Sequence, residues 1–343
     1  MFHKRGVSMI NVAINGFGRI GREVFKIILK NYSNEISVIA INDLADTKTL
    51  THLLKYDSVH GKFKGDIEYD KNSLVVNGQA VHVLKERDPE LLPWKNLHID
   101  VVIEATGLFR TKEQAGKHIS AGARKVIISA PGKSDGVKTI VLGVNEHTYD
   151  DSKDHILSNA SCTTNCLAPM VKVLNDNFGI ESGLLNTIHS YTADQKLVDA
   201  AHKDLRRGRS AAVNIVPTST GAAIAVTKVI PELEGKLDGI AMRVPTPDGS
   251  VVDFTCILKR ATTKEKINRL FKNVSMHHLR DILEYSNEPL VSTDIVGNTS
   301  SVIFDSEMTF VKDKLVKLIG WYDNEVGYSN RVVDLIMFIM SRS

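Results

Sequence analysis

The spacing of hydrophobic and polar positions changes partway along the chain, and the change predicts two architectures. Ile10-Asn11-Val12-Ala13-Ile14-Asn15 is a short apolar run of strand type, and 22–31 has the period of an amphipathic helix. A second apolar run over 36–42 completes a strand–helix–strand unit of the parallel kind. Further strands are expected at 73–76, 81–84, 101–105 and 125–129. Beyond Cys162 the pattern loosens. Strands are expected at 182–189, 213–215, 239–244 and 250–258, and helices at 220–229, 263–271, 279–285 and 331–340.

This order predicts an α/β Rossmann-type domain followed by an α+β domain with a mixed, mostly antiparallel sheet; the motifs below make the first a dinucleotide-binding domain and the second a catalytic domain. The expected bounds are 9–161 for the first domain, with a C-terminal helix over 324–343 returning to it, and 162–323 for the second. Residues 1–8 are read as a flexible N-terminal extension.

Composition narrows the function class. The 343 residues carry a net charge of +3 with both signs interspersed, which indicates neither a nucleic-acid nor a membrane partner. No apolar run reaches the length of a membrane span, and the first residues lack the apolar segment of a secretory signal. Three cysteines make no disulfide framework, so a reducing cytoplasm is expected, and no metal site is read.

Gly16-Phe17-Gly18-Arg19-Ile20-Gly21 follows the first strand directly. In a dinucleotide site Gly16 permits the tight turn, Gly18 lets a pyrophosphate approach the backbone, and Gly21 lets helix and strand pack closely. Asp43 ends the second strand, where its carboxylate can accept from a ribose diol. Glu104-Ala105-Thr106-Gly107 and Ser129-Ala130-Pro131-Gly132 end strands in small residues, as a cofactor lying on the backbone requires; tight turns alone would also account for either.

The stretch Ser158-Asn159-Ala160-Ser161-Cys162-Thr163-Thr164-Asn165-Cys166 leads into an apolar helical segment. With Ser161 as cap, Cys162 falls in the first turn, where free N–H groups favour thiolate. A buried structural cysteine is the other reading. His189 ends a strand and offers proton handling near neutral pH, although spacing alone does not select it from twelve histidines. Arg207, Arg243, Thr163, Thr192 and Thr220-Gly221 form a set able to cradle phosphate. For Arg206 and Arg209, ion pairing between subunits serves equally well.

These motifs, with Pro217-Thr218-Ser219-Thr220-Gly221-Ala222-Ala223, Arg243-Val244-Pro245-Thr246-Pro247 and Trp321-Tyr322-Asp323-Asn324-Glu325, resemble the phosphorylating glyceraldehyde-3-phosphate dehydrogenases of bacterial type, from Ile10 to the C-terminus. The resemblance implies NAD-dependent oxidation of D-glyceraldehyde 3-phosphate to 1,3-bisphosphoglycerate with inorganic phosphate, a step of glycolysis, through a Cys162 hemithioacetal and thioester with His189 as proton carrier. It implies Thr192 and Arg243 at the substrate phosphate, and Ser161, Thr163, Arg207, Thr220 and Gly221 at the attacking phosphate. Arg19, Ile20, Asp43, Arg87, Thr106, Ser129 and Asn324 correspond to cofactor contacts, and a homotetramer is implied. Asp43-Leu44 is the pattern of NAD users, whereas Ala200-Ala201 resembles members that tolerate NADP. Erythrose-4-phosphate dehydrogenase is the nearest alternative, and a binding protein without activity is the alternative from another class.

Overall fold

A computed structural model describes residues 9–342 as two compact units; the extension expected over 1–8 lies outside the described residues. The first unit holds the chain up to Ile140, Thr148–Ala160 and the residues from Ser329 on, and the second holds Val141–His147 and Ser161–Tyr328. No described helix is long and apolar enough to cross a membrane.

In the first unit nine strands form one sheet. Its parallel part runs in the order Lys138–Thr139, Ile156–Ser158, Lys125–Ile128, Val101–Glu104, Ile10–Asn15, Ile36–Asn42 and Gln79–Leu84. Ser73–Val76 and Ile67–Tyr69 then add on antiparallel. Val101–Glu104 and Lys125–Ile128 are buried at every position, as parallel strands covered on both faces must be. Ala13, Val102, Val126 and Trp94 share one core cluster with Ala115 of the helix Lys112–Ser120. A capping box at Thr111 and Gln114 starts that helix.

The connection after Ile10–Asn15 turns at Gly16, whose φ is +95°. A side chain there would also press on the backbone of Thr106 at 2.7 Å, so glycine serves both needs. The helix Arg19–Asn31 begins at Gly18 with no side-chain cap and no acid in its first turn, as suits a helix start that receives an anion. From Ser329 on, the C-terminal helix Val326–Met340 belongs to this unit, and Asp334 Oδ1 accepts the Tyr32 hydroxyl at 2.9 Å.

The second unit is built on an eight-stranded mixed sheet. Its order is Val216–Ser219, Leu237–Val244, Ile180–Ser190, Ser250–Leu258, Leu315–Tyr322, Val302–Asp305 and Leu283–Ser286, with Phe310–Lys312 beside Leu315–Tyr322. Ile180–Ser190 with Leu237–Val244, and Leu283–Ser286 with Val302–Asp305, pair parallel; the remaining pairs are antiparallel. The helix Cys162–Phe178 packs on it through Cys166, whose sulfur meets the Gly320 carbonyl, and Met170. Gly320 gives Met170 its seat, since a Cβ there would lie 2.7 Å from the methionine's methyl. Leu184, Ile240, Ile257 and Leu315 remain exposed on strands of this sheet.

Two expected elements are corrected. Residues 213–215 are not a strand: Val213 and Ile215 are exposed, and the strand starts at Val216. Residues 279–285 are not a helix. Asp281 takes a left-handed φ of +66°, which ends any helix, and Leu283 pairs with Val302 instead.

Candidate active site

The helix Cys162–Phe178 starts where the sequence suggests. Ser161 Oγ accepts the Thr164 N–H at 3.1 Å, making Cys162 the first helical residue. Two residues before Cys162, Ala160 is held at φ +55°, which turns the chain into the helix. Cys162 is half-buried, whereas Cys166 and Cys256 are buried.

From the adjoining sheet, His189 presents Nε2 to Cys162 Sγ at 3.4 Å. Its Nδ1 lies 2.8 Å from the Ser190 carbonyl, and Arg243 Nη1 lies against the same nitrogen while donating to that carbonyl at 3.0 Å. In the tautomer whose Nδ1 donates to the carbonyl, Nε2 turns a lone pair to the sulfur, the arrangement of a base beside a nucleophile; in the other, Nδ1 accepts from Arg243 and Nε2 carries the proton. The strand register explains why these residues meet, because His189 pairs with Arg243 across parallel strands.

Burial pushes the Cys162 thiol up, against the downward pull of the Arg243 guanidinium and the Thr163 N–H. The helix start therefore acts as expected but is outweighed. Burial, followed by the charge of Arg243, pushes His189 down to about 3. Both partners are thus driven toward their neutral forms across the 3.4 Å contact.

The anion-binding candidates separate. Arg207 donates to Thr218 Oγ1 at 2.8 Å and to Asp194 at 2.9 Å, and its charge bears on Arg243. Thr192 donates its N–H to Gln195 at 3.3 Å. Thr220 Oγ1 accepts the Ala222 N–H, and Gly221 opens the helix Ala222–Val229 with no side-chain cap. Thr163 faces inward, sharing a hydrogen bond of 2.9 Å with the Tyr322 hydroxyl. Arg209 pairs with Asp199.

Of the cofactor candidates, Asn324 stands in the second unit and accepts from Ser190 Oγ at 2.9 Å and Ser250 Oγ at 2.6 Å. The others stand in the first. Asp43 accepts the Phe17 N–H at 2.9 Å through one oxygen and the Ala45 N–H at 3.0 Å through the other. Arg19 and Ile20 open the helix behind Gly18, with Arg19 paired to Asp57 at 2.8 Å. Arg87 is exposed in the loop after Gln79–Leu84. Thr106 and Ser129 follow the strand ends, their N–H groups held by the Glu104 side chain and the Glu104 carbonyl.

These residues fit a dinucleotide. A Cβ on Gly18 would meet nothing within 4 Å, whereas one on Gly21 would lie 2.2 Å from the Gly16 carbonyl. The turn is therefore open where a pyrophosphate approaches and closed where helix meets strand.

Sequence reasoning passed over Tyr322, whose hydroxyl bridges Thr163 and Thr187 and whose ring meets His189 edge-on at 5.9 Å. Its place in the alternating run Leu315–Tyr322 was the available signal.

Two family models match the chain, "Glyceraldehyde 3-phosphate dehydrogenase, NAD binding domain" over residues 10–112 and "Glyceraldehyde 3-phosphate dehydrogenase, C-terminal domain" over residues 161–324. The chain is 55% identical over 334 residues to the glyceraldehyde-3-phosphate dehydrogenase of Geobacillus stearothermophilus, covering 97% of this chain and 99% of the relative. It is 54% identical over 334 residues to glyceraldehyde-3-phosphate dehydrogenase 1 of Bacillus subtilis, with the same coverage. To the glyceraldehyde-3-phosphate dehydrogenase of Streptomyces coelicolor it is 52% identical over 332 residues, covering 96% and 98%.

Proposed function

The chain belongs to the glyceraldehyde-3-phosphate dehydrogenase family, and from that premise we propose that it reversibly converts D-glyceraldehyde 3-phosphate, NAD and inorganic phosphate to 1,3-bisphosphoglycerate through Cys162. The observation that carries the reading is the 3.4 Å contact of Cys162 Sγ with His189 Nε2. The erythrose-4-phosphate alternative is not retained, because relatives matched over nearly their whole length are named for glyceraldehyde 3-phosphate.

The thiol proton passes to His189 Nε2 as sulfur bonds to the aldehyde carbon, and returns to the new oxyanion to give the hemithioacetal. The Cys162 N–H, at the uncrowded start of its helix, and the imidazole stabilise that oxyanion. NAD, when bound, supplies the hydride acceptor. His189 takes the hydroxyl proton as the thioester forms, and phosphate then attacks the acyl carbon and releases the Cys162 thiolate. Arg243 and Thr192 orient the substrate phosphate; Ser161, Thr163, Arg207, Thr220 and Gly221 receive the attacking phosphate.

NAD is held by Gly16, Gly18, Arg19, Ile20, Gly21, Asp43, Arg87, Thr106, Ser129 and Asn324. The uncapped helix start behind Gly18 suits its pyrophosphate, and the Asp43 carboxylate suits its adenosine ribose while repelling a 2′-phosphate. We place the enzyme in the cytoplasm, where its three free thiols stay reduced. We assign it a homotetramer, a reading supported by the exposed apolar Leu184, Ile240, Ile257 and Leu315 and by the exposed Leu197, Val198 and Leu205.

An assay crossing NAD and NADP with glyceraldehyde 3-phosphate and erythrose 4-phosphate, with and without phosphate, tests the proposal. Phosphate-dependent reduction of NAD with the triose is expected. Turnover indifferent to phosphate would overturn it.

A further inference from the structure

Beneath the carboxyl ends of the parallel strands lies a row of buried polar side chains that no step above uses. Asn15, Asn42 and Glu104 are the last residues of three adjacent strands and stand in register. Glu104, 1% exposed, accepts from Asn15 Nδ2 at 2.6 Å, His118 Nε2 at 3.1 Å, the Thr106 N–H at 2.9 Å and the Thr106 hydroxyl. An ionised carboxylate is an acceptor only, with about four lone-pair positions, and here four donors meet it.

Groups that cannot reverse their roles fix both ends of the row. At one end the Trp94 indole, a donor only, bonds to His118 Nδ1 at 3.0 Å. His118 therefore carries its proton on Nε2, directed at Glu104. At the other end the Glu86 backbone clamps Asn42, its N–H donating to Asn42 Oδ1 and its carbonyl accepting from Nδ2, both at 2.8 Å. Asn42 Nδ2 also donates to Asn15 Oδ1 at 2.7 Å, which leaves Asn15 only its Nδ2 to offer Glu104.

Four members adjoin residues assigned above to the dinucleotide. Asn15 precedes Gly16, Asn42 precedes Asp43, Glu86 precedes Arg87, and Glu104 grips Thr106 at two atoms. The backbone at Thr106 is also the wall against which Gly16 packs.

We infer that Glu104 is a positioning residue for NAD: its donor-saturated carboxylate fixes four of the chain segments that line the dinucleotide, those of Gly16, Asp43, Arg87 and Thr106. The inference rests on the NAD site proposed above. Replacing the carboxylate by its isosteric amide sets an NH2 group against donors that cannot turn round. The second exchange Asn15→Asp moves the acceptor across the 2.6 Å contact. In the double variant the new carboxylate accepts from Asn42, from the new amide and from His118 Nε2, already 3.4 Å from Asn15 Nδ2. The oxygen of the new amide remains for Thr106.

The test is calorimetric titration of the full-length parent and variants with NAD, alongside KM for NAD and kcat. Glu104→Gln and Asn15→Asp are each expected to weaken NAD binding by about tenfold or more and to raise KM in step, with kcat at saturating NAD within about threefold. Asn15→Asp/Glu104→Gln is expected to return Kd to within about threefold of the parent. Parent-like Kd in the single variants, a double variant no better than the worse single, or lost kcat at unchanged Kd overturns the inference. Where a single variant does not fold, the double decides: Kd within about threefold supports the inference, and any greater loss overturns it. A parent that binds no NAD removes the functional reading itself; a parent that binds while all variants match it removes only this inference.

Discussion

Cys162 Sγ lies 3.4 Å from His189 Nε2, and the Ser190 carbonyl and Arg243 both meet the other imidazole nitrogen. Cys162→Ser is expected to abolish aldehyde oxidation. His189→Asn is expected to slow it by roughly 10²–10⁴-fold, the usual span for a general acid–base group. The same variant should also move the alkylation of Cys162 by iodoacetamide to higher pH, because the sulfur loses its proton acceptor. Stopped-flow turnover and alkylation rates across pH check both; an unchanged alkylation profile removes His189 from the pair.

Asp43 receives two backbone N–H groups, one on each oxygen. In Asp43→Asn only one of them keeps an acceptor, and repulsion of a 2′-phosphate is lost. The expected result is a KM for NAD raised about tenfold, equivalent to about 1.4 kcal/mol, with an increased ratio of NADP to NAD kcat/KM. A ratio equal to the parent's would show that discrimination lies elsewhere.

Tyr322 is 1% exposed, and burial keeps its phenol in the neutral form, able to bridge Thr163 at 2.9 Å and Thr187 at 3.0 Å. Tyr322→Phe leaves both threonine hydroxyls without that shared partner, at a cost of about 1–3 kcal/mol in urea unfolding. Because Thr163 is assigned to the attacking phosphate, KM for phosphate should rise while KM for the triose stays level. Equal increases in both would point to general loosening of the site.

Asp248 is pushed up to about 8 by burial and then by the negative charges of Asp323 and Glu325. An unfolded aspartate titrates near ~3.9, so between these values the folded protein holds a proton that the unfolded chain has released. Stability from this group is complete below the lower value, falls as pH rises, and is lost above the higher one. Asp248→Asn keeps a donor for Asp323 without titrating. Its gain over the parent should be small at pH ~5 and reach on the order of a few kcal/mol at pH ~8.5. Thermal melts at both values decide, and an equal gain at both contradicts the raised carboxyl.

What could be read in the sequence was what local backbone demands. The glycine turn announces itself because a positive φ at Gly16 and tight packing at Gly21 exclude other residues, and Ser161 announces a helix start because few side chains cap as well. The false helix over 279–285 shows the limit of periodicity: its apolar spacing suited a helix, and the left-handed turn at Asp281 decided otherwise. The strand Leu315–Tyr322 alternates and could have been found, and Tyr322 with it. No window of sequence shows that Asn15 meets Glu104, 89 residues on, or that Trp94 fixes the tautomer of His118. Such pairings exist only once the sheet is assembled.

The unequal burial of the three thiols has a practical side. Cys162 is the accessible one in the native protein, and Cys166 and Cys256 become available only when their surroundings open. Brief exposure to an alkylating reagent, followed by intact-mass measurement, should sort molecules into those carrying one adduct and those carrying three. The chain thus carries its own gauge of how much of a sample is folded, readable in crude preparations and without an added probe.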